Sequence, residues 1–306
     1  MNKQTMTMAA GTFVWSIVLG TAVAKPPAGG AAASHMQKGI ELAQQKQYDA
    51  AVGEFTKAIE GNPKDARGYT NRGTAYRASN RLPDAYADFS KAIEVAPKDE
   101  VAYRERGMTA VMQSQFDVAL PDFEKAIQLK PDDPYAYKFR GYAEIGLNQW
   151  DKAVADFTTV LQKQPEDVQS YDRRAWANRN LKNYDAAVAD YTVLIDKNPN
   201  DAEHLVKRGA TFTAMQQYEK AIADYQAALK LKPDDYDTTQ RLQYVQSMLA
   251  AKNAPPPPPT TPTPTPKPSL VTPLNVGLGI AVLIVIAVVV RFLTRGKPEE
   301  TSSRVR

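Results

Sequence analysis

Six prolines recur every 34 residues through the middle of the sequence, and this period limits the possible folds more than any other feature. They are Pro63, Pro97, Pro131, Pro165, Pro199 and Pro233. A column of glycine or alanine has the same period: Gly39, Gly73, Gly107, Gly141, Ala175 and Gly209. So does a column of alanine: Ala51, Ala85, Ala119, Ala153, Ala187 and Ala221. A fixed period of this length is typical of a repeat architecture, in which each unit buries its apolar face against its neighbours.

Each unit carries the pattern of a helical hairpin. In the segment 85–95, apolar residues recur at i, i+4, i+7 and i+8, which form one face of a helix. Small residues such as Gly73 and Ala85 let two helices approach closely, and Pro97 stops the second helix of its unit. The sequence therefore predicts an all-α fold in which six such hairpins stack into a continuous core.

These columns resemble the tetratricopeptide repeat, which has small residues at positions 8, 20 and 27, an aromatic residue at 24 and proline at 32. The departures are Val160 and Leu194, which are larger than the residue usual at position 27. The resemblance implies a right-handed superhelical solenoid with a concave groove. The six units span 32–65, 66–99, 100–133, 134–167, 168–201 and 202–235, and residues 236–252 are predicted to form a capping helix.

One departure from the family concerns charge. Position 7, often leucine in the family, is basic in every unit: Lys38, Arg72, Arg106, Arg140, Arg174 and Arg208. Position 23 is acidic in every unit: Glu54, Asp88, Asp122, Asp156, Asp190 and Asp224. Matched columns of opposite charge favour a structural ladder of ion pairs over a basic stripe for an anionic ligand. The spacing leaves open whether each pair lies within a unit or joins two units.

The N-terminus is predicted to be a secretory signal peptide over residues 1–24. A mostly apolar stretch follows Lys3 and ends in Ala22-Val23-Ala24, which is the small-residue pattern of a cleavage site. Residues 25–31 are predicted to be a flexible lead-in to the repeats. An uncleaved N-terminal anchor is the alternative interpretation.

An apolar run near the other end predicts a transmembrane helix over residues 274–293, close to the roughly 20 residues that a bilayer requires. The Pro/Thr-rich segment 253–273 is predicted to be an extended linker, and the segment 294–306 a short basic tail. The charges flanking the run place the tail in the cytoplasm. We therefore expect a single-pass protein of a bacterial cell envelope whose repeats lie outside, in the periplasm. A tail-anchored protein with its repeats in the cytosol is the alternative.

Composition argues against several functions. The net charge of +4 over 306 residues gives no basic footprint for nucleic acid. There is no cysteine, and the two histidines, His35 and His204, are far apart. No phosphate-binding loop or catalytic motif is present. We therefore expect no enzyme activity, no cofactor, no metal site and no small-molecule substrate.

The family resemblance implies that the first helix of each unit lines the groove, where a protein partner binds as a peptide or a helix. This predicts a scaffold or adaptor, tethered to the membrane by the predicted helix. A structural or self-assembling element without a peptide ligand is the alternative function. The known clamp for chaperone tails is not matched by the groove positions of this chain. The predicted groove residues, in the third to fifth units, are Arg104, Met108, Tyr135, Lys138, Phe139, Tyr142, Arg173, Trp176 and Arg179.

Overall fold

The computed structural model describes residues 30–254, 285–287 and 289–291. Residues 31–253 form thirteen α-helices in succession. They are α1 (Ala31–Gln44), α2 (Tyr48–Gly61), α3 (Ala66–Ala78), α4 (Leu82–Val95), α5 (Glu100–Met112), α6 (Phe116–Leu129), α7 (Pro134–Gly146), α8 (Trp150–Lys163), α9 (Val168–Asn180), α10 (Tyr184–Lys197), α11 (Ala202–Ala214), α12 (Tyr218–Leu231) and α13 (Tyr236–Asn253). The prediction of an all-helical solenoid of hairpins is confirmed.

Each hairpin turns on one residue in the left-handed backbone region. These residues are Lys46, Asn80, Ser114, Asn148, Lys182 and Gln216, with φ between 58° and 63°. In the fourth hairpin, the amide of Asn148 donates to Ile145 O at 3.0 Å and the amide of Gln149 donates to Glu144 O at 2.8 Å. These bonds satisfy carbonyl groups that would otherwise have no partner at the end of α7.

Aspartate caps the first helix of units two to six. The side chain of Asp133, for example, accepts a hydrogen bond from the amide of Tyr135 at the start of α7. Such a cap satisfies one of the free amides at a helix N-terminus. The five capping residues are Asp65, Asp99, Asp133, Asp167 and Asp201.

The core of each hairpin is an aromatic ring packed under a small residue. Phe157 is fully buried, and a Cβ added at Gly141 would lie 3.0 Å from its Cζ. Gly73 and Phe89 make the same close approach in the second unit. The columns of small and aromatic residues therefore hold the two helices of a hairpin together.

Consecutive helices pack against each other along the whole array, from α1 to α13. Odd-numbered helices also contact one another directly: α1 contacts α3, α3 contacts α5, and α5 contacts α7. We call the surface formed by the first helices of the units the odd-helix face.

The structure corrects the predicted fold class at its C-terminal end. Within the described ranges, no helix is both long and apolar enough to cross a membrane. The predicted transmembrane helix is therefore wrong, and so is the single-pass envelope location derived from it. The helix was predicted from the hydropathy of one run, and the location from that run, its flanking charges and the predicted signal peptide.

Four other predictions concern residues outside the described ranges. They are the signal peptide over 1–24, the lead-in as far as residue 29, the linker as far as it extends beyond residue 254, and the tail over 294–306.

Candidate protein-interaction surface

The charged columns form ion pairs within each unit, which answers the question that the spacing left open. In the fifth unit, Arg174 donates through Nε and Nη2 to the two carboxylate oxygens of Asp190, at 2.9 and 2.7 Å. The same fork-shaped contact joins Arg72 to Asp88, Arg106 to Asp122, Arg140 to Asp156 and Arg208 to Asp224. Such bidentate pairs are specific in geometry as well as charge.

A third nitrogen of the same arginines connects neighbouring units. Nη1 of Arg174 donates to the hydroxyl of Thr158 in the preceding unit at 3.1 Å. The acceptors at three other joints are Thr56, Ser90 and Thr192. The arginine column thus stabilises both the hairpin and its junction with the unit before it, in agreement with the structural interpretation of these charges.

Two predicted groove cations are engaged in ion pairs on the odd-helix face. Arg104 is 8% exposed and pairs with Asp133, which caps the next odd helix. Its Nη2 also donates to Glu105 at 3.1 Å. Lys138 lies 2.8 Å from Asp167, the following cap residue. Both cations therefore connect one odd helix to the start of the next.

Met108 is also enclosed by its neighbours. It is 6% exposed, and its sulfur accepts a hydrogen bond from Nη1 of Arg77 at 3.0 Å. Arg77 in turn lies 2.7 Å from Glu105. Around α5, the odd-helix face is thus closed by internal contacts.

The face changes character at α7, where aromatic rings are half-buried. Phe139 stacks on Phe123 with ring centroids 6.4 Å apart and lies 6.2 Å from Tyr142. Tyr142 meets the edge of Phe157 at 5.6 Å, and burial raises its pKa to about 12. Tyr135, at the start of the helix, is 38% exposed. These rings form a continuous apolar row with accessible edges.

Helix α9 supplies the remaining predicted residues. Trp176 meets Trp150 edge to face at 5.0 Å, and the guanidinium of Arg173 lies 5.8 Å from the ring centre of Tyr142. Nε of Arg179 is buried and has no hydrogen-bond partner among residues 30–254. The structure thus brings Tyr142 and Arg173 together across two units.

The cap aspartates were the groove residues that sequence reasoning missed. Asp133 pairs with Arg104 and Asp167 with Lys138, the basic residues at position 5 of their units. The two aspartates belong to a column that recurs every 34 residues. That column was the available signal. Among the described residues, no group of three or more acidic or histidine side chains is arranged to hold a metal ion.

Comparison with known proteins identifies the repeat. Two family profiles described as tetratricopeptide repeat match the chain. One covers residues 66–99 and 202–235, and the other covers 104–167 and 140–202. Hsp70-Hsp90 organizing protein 1 of Glycine max is 42% identical over 48 residues, which are 16% of this chain and 8% of the plant protein. A Triticum aestivum protein of that type is 40% identical over the same length. The chain thus matches less than a tenth of the length of these relatives.

Solved structures show the same fold at low sequence identity. YrrB, a TPR protein described as having an unusual peptide-binding site, is 24% identical with a TM-score of 0.57. The match covers 62% of this chain and 97% of YrrB. Pseudomonas aeruginosa pilF is 16% identical with a TM-score of 0.58, over 71% and 97% of the two chains. MamA from Desulfovibrio magneticus RS-1 is 18% identical with a TM-score of 0.52, over 55% and 95%. The chain belongs to the tetratricopeptide repeat family, whose helical repeats are protein-interaction modules.

Proposed function

We propose that this protein is a scaffold that holds an extended peptide or a helix of a partner protein against α7 and α9. The observation that carries the proposal is the half-buried row formed by Tyr135, Phe139, Tyr142 and Trp176 on the odd-helix face. Aromatic side chains that keep accessible edges are typical anchors of protein interfaces.

The charges beside this row indicate the chemistry of the partner. Arg104 and Lys138 neutralise Asp133 and Asp167, so their charge is already balanced within the array. Arg173 lies over Tyr142, and the combination of a guanidinium and aromatic rings suits a segment with apolar anchors and an acidic group nearby.

The likeness to the plant chaperone-organizing proteins raises a second candidate, the C-terminal carboxylate of a chaperone tail. The groove positions of this chain do not reproduce the known clamp. If the clamp is placed so that it begins at the third unit, its first two positions are Arg104 and Met108, which are both buried. We therefore favour an internal peptide segment, and comparison of free and amidated peptide C-termini separates the two candidates.

The experiment is selection of binders to the full chain from a random peptide library, followed by measurement of Kd for the enriched peptides. Substituting Tyr135, Arg173 and Trp176 together with alanine is expected to raise Kd more than about tenfold, since truncated anchors typically cost 2 kcal/mol or more. The matched control is Tyr236→Ala on α13, which truncates an aromatic residue that is 72% exposed outside the face. Circular dichroism checks that both variants remain folded.

Two outcomes would contradict this proposal. Peptides that bind the triple variant as tightly as the unmodified chain would exclude the odd-helix face at α7 and α9. A library that yields no enriched peptide, together with concentration-dependent self-association by size-exclusion chromatography, would favour the structural alternative.

A further inference from the structure

The joint between the third and fourth units lacks the contact found at four other joints. Where those joints place a serine or threonine hydroxyl under the arginine of the next unit, this joint has Glu124. Glu124 is exposed and forms no ion pair within the described ranges. A carboxylate thus replaces a neutral acceptor beside Arg140.

A second acid enters the same joint from α7. Glu144 occupies the repeat position held in other units by Leu42, Tyr76, Ala110, Asn178 and Phe212. It is 4% exposed, and its Oε2 is buried without a hydrogen-bond partner. The nearest cation, Nε of Arg140, is 4.0 Å from its other oxygen and already donates to Asp156 at 2.7 Å. Burial, with the charge of Asp156 second, raises the pKa of Glu144 to about 8.

These side chains line an open cleft of about 290 Å³ between α6 and α8. Glu124 and Lys152 lie at its exposed rim, whereas Glu144, Arg140 and Asp156 lie deeper. Leu120 and Ala155 complete the lining. Pockets for drug-sized ligands start at roughly 300 Å³, so the volume suits one long side chain. Metal binding is not supported, because no group of acids in the described ranges is arranged for it.

We propose that the cleft bordered by Glu124, Glu144 and Asp156 is a second binding site, which takes the guanidinium of an arginine on a partner polypeptide. Charge is the first argument. The lining holds three carboxyl groups against the cations of Arg140 and Lys152, so ionisation of all three leaves one negative charge for an incoming cation.

Shape and chemistry specify arginine. Glu144 and Glu124 both line the cleft, and Oε2 of Glu144 has no hydrogen-bond partner among residues 30–254, so two carboxyl groups can share the several donors of one planar guanidinium. The methylene stem of the side chain would pass Leu120 and Ala155, which are apolar. Of the two cations in the lining, Arg140 is held by Asp156, and Lys152 is exposed at the rim.

The proposal is independent of the odd-helix face. The cleft is lined by α6 and α8 and by residues of α7 other than Tyr135, Phe139 and Tyr142. Loss of peptide binding on that face therefore leaves this proposal standing, and the reverse also holds.

The test is a titration of the full chain with N-acetyl-arginine amide, monitored by the NMR signals of Leu120 and Ala155. We expect saturable shifts with arginine, weaker ones with the capped lysine amide, and none with the capped citrulline amide, which has nearly the same shape without the charge. Glu144→Gln should abolish saturation, whereas the exposed control Glu60→Gln should not. Melting temperatures of both variants establish that they are folded.

The pH dependence supplies a readout that a purely structural role of Glu144 would not change. A cation binds the ionised carboxyl of Glu144, whereas in the unliganded site that carboxyl is mostly protonated below pH 8. The Kd for N-acetyl-arginine amide should therefore fall about tenfold for each pH unit between 6 and 7 and become constant above about 8. The facing groups are Glu124 from α6, Arg140 from α7, and Lys152 and Asp156 from α8. Equal binding of citrulline and arginine, a Kd independent of pH, or saturation that survives in Glu144→Gln would overturn the proposal.

Discussion

The ion pair between Arg174 and Asp190 offers a direct measurement of how much the charged ladder stabilises the array. The side chains are 21% and 6% exposed, and two hydrogen bonds join them. The substitution Asp190→Ala leaves a largely buried guanidinium without its carboxylate, and breaking a buried pair in this way costs about 3–5 kcal/mol. We expect a loss near 3 kcal/mol, because Arg174 keeps its contact with Thr158 and some access to water.

The same change in the fourth unit should cost less. Arg140 has a second acid within reach, since its Nε lies 4.0 Å from Glu144. The charge of Asp156 is one of the causes that raise the pKa of Glu144, so Asp156→Ala allows Glu144 to ionise closer to neutral pH and to replace the lost partner. We expect the loss in Asp156→Ala to be smaller than in Asp190→Ala by at least about 1 kcal/mol, because the guanidinium is not left unpaired.

Urea denaturation of the full chain at pH 7, monitored by far-ultraviolet circular dichroism, compares the two variants. Asp84→Ala is the matched control, because its pair with Arg81 is about half-exposed and such pairs contribute little to stability. An unchanged midpoint in Asp190→Ala would refute the structural role of the ladder. Equal losses in the variants of Asp190 and Asp156 would refute the replacement by Glu144.

Three further predictions concern stability. Since the pKa of Glu144 is about 8 in the folded chain and ordinarily 4.5, stability should fall as pH rises from 4.5 to 8, and thermal melts of Glu144→Gln should lack this decline. Gly141→Ala should lower the free energy of unfolding by about 1–3 kcal/mol through overpacking, whereas Gly53→Ala, with open space around the added Cβ, should raise it by about 0.5–1 kcal/mol. The hydrogen bond from His35 is the largest cause of the low pKa of Glu54, about 2. The stability that this contact contributes should therefore be lost as pH falls from 4.5 to 2, and Glu54→Gln should lack this pH dependence.

The fold was predictable because the same packing problem is solved in every unit. A ring such as Phe157 fits only under a small residue, such as Gly141, so both are constrained and their period is visible. The turns were less visible, since the left-handed positions hold Lys46, Asn80 and Ser114 and not the glycine that usually marks them. The hydropathy of the C-terminal run misled the prediction because apolar composition alone does not specify a helix of the required length.

The candidate interaction surface was only partly predictable, because repeat position determines the face of a helix and not the exposure of the side chain. Arg104 and Arg173 occupy neighbouring repeat positions on odd helices. The former is buried because Asp133 and Glu105 neutralise it, whereas the latter lies over Tyr142. Exposure thus depends on which partners the fold brings to each cation, and that requires the three-dimensional contact. Contact of the nine predicted residues with a protein partner stays a prediction.

A repeat protein provides its own reference state, and this makes a departure in one unit informative. At the position of Glu144, other units place residues such as Tyr76 and Phe212 that require no counter-charge. A buried carboxyl beside Asp156 is unfavourable for folding, since burial and a neighbouring like charge both oppose its ionisation. Glu124 adds a second acid at the same joint. The other four joints have a serine or threonine hydroxyl at this position. Glu124 is attracted to Arg140, which it helps to keep charged, so the unexplained acid at this joint is the buried Glu144. A cationic ligand would turn that carboxyl into a favourable contact, which packing alone does not.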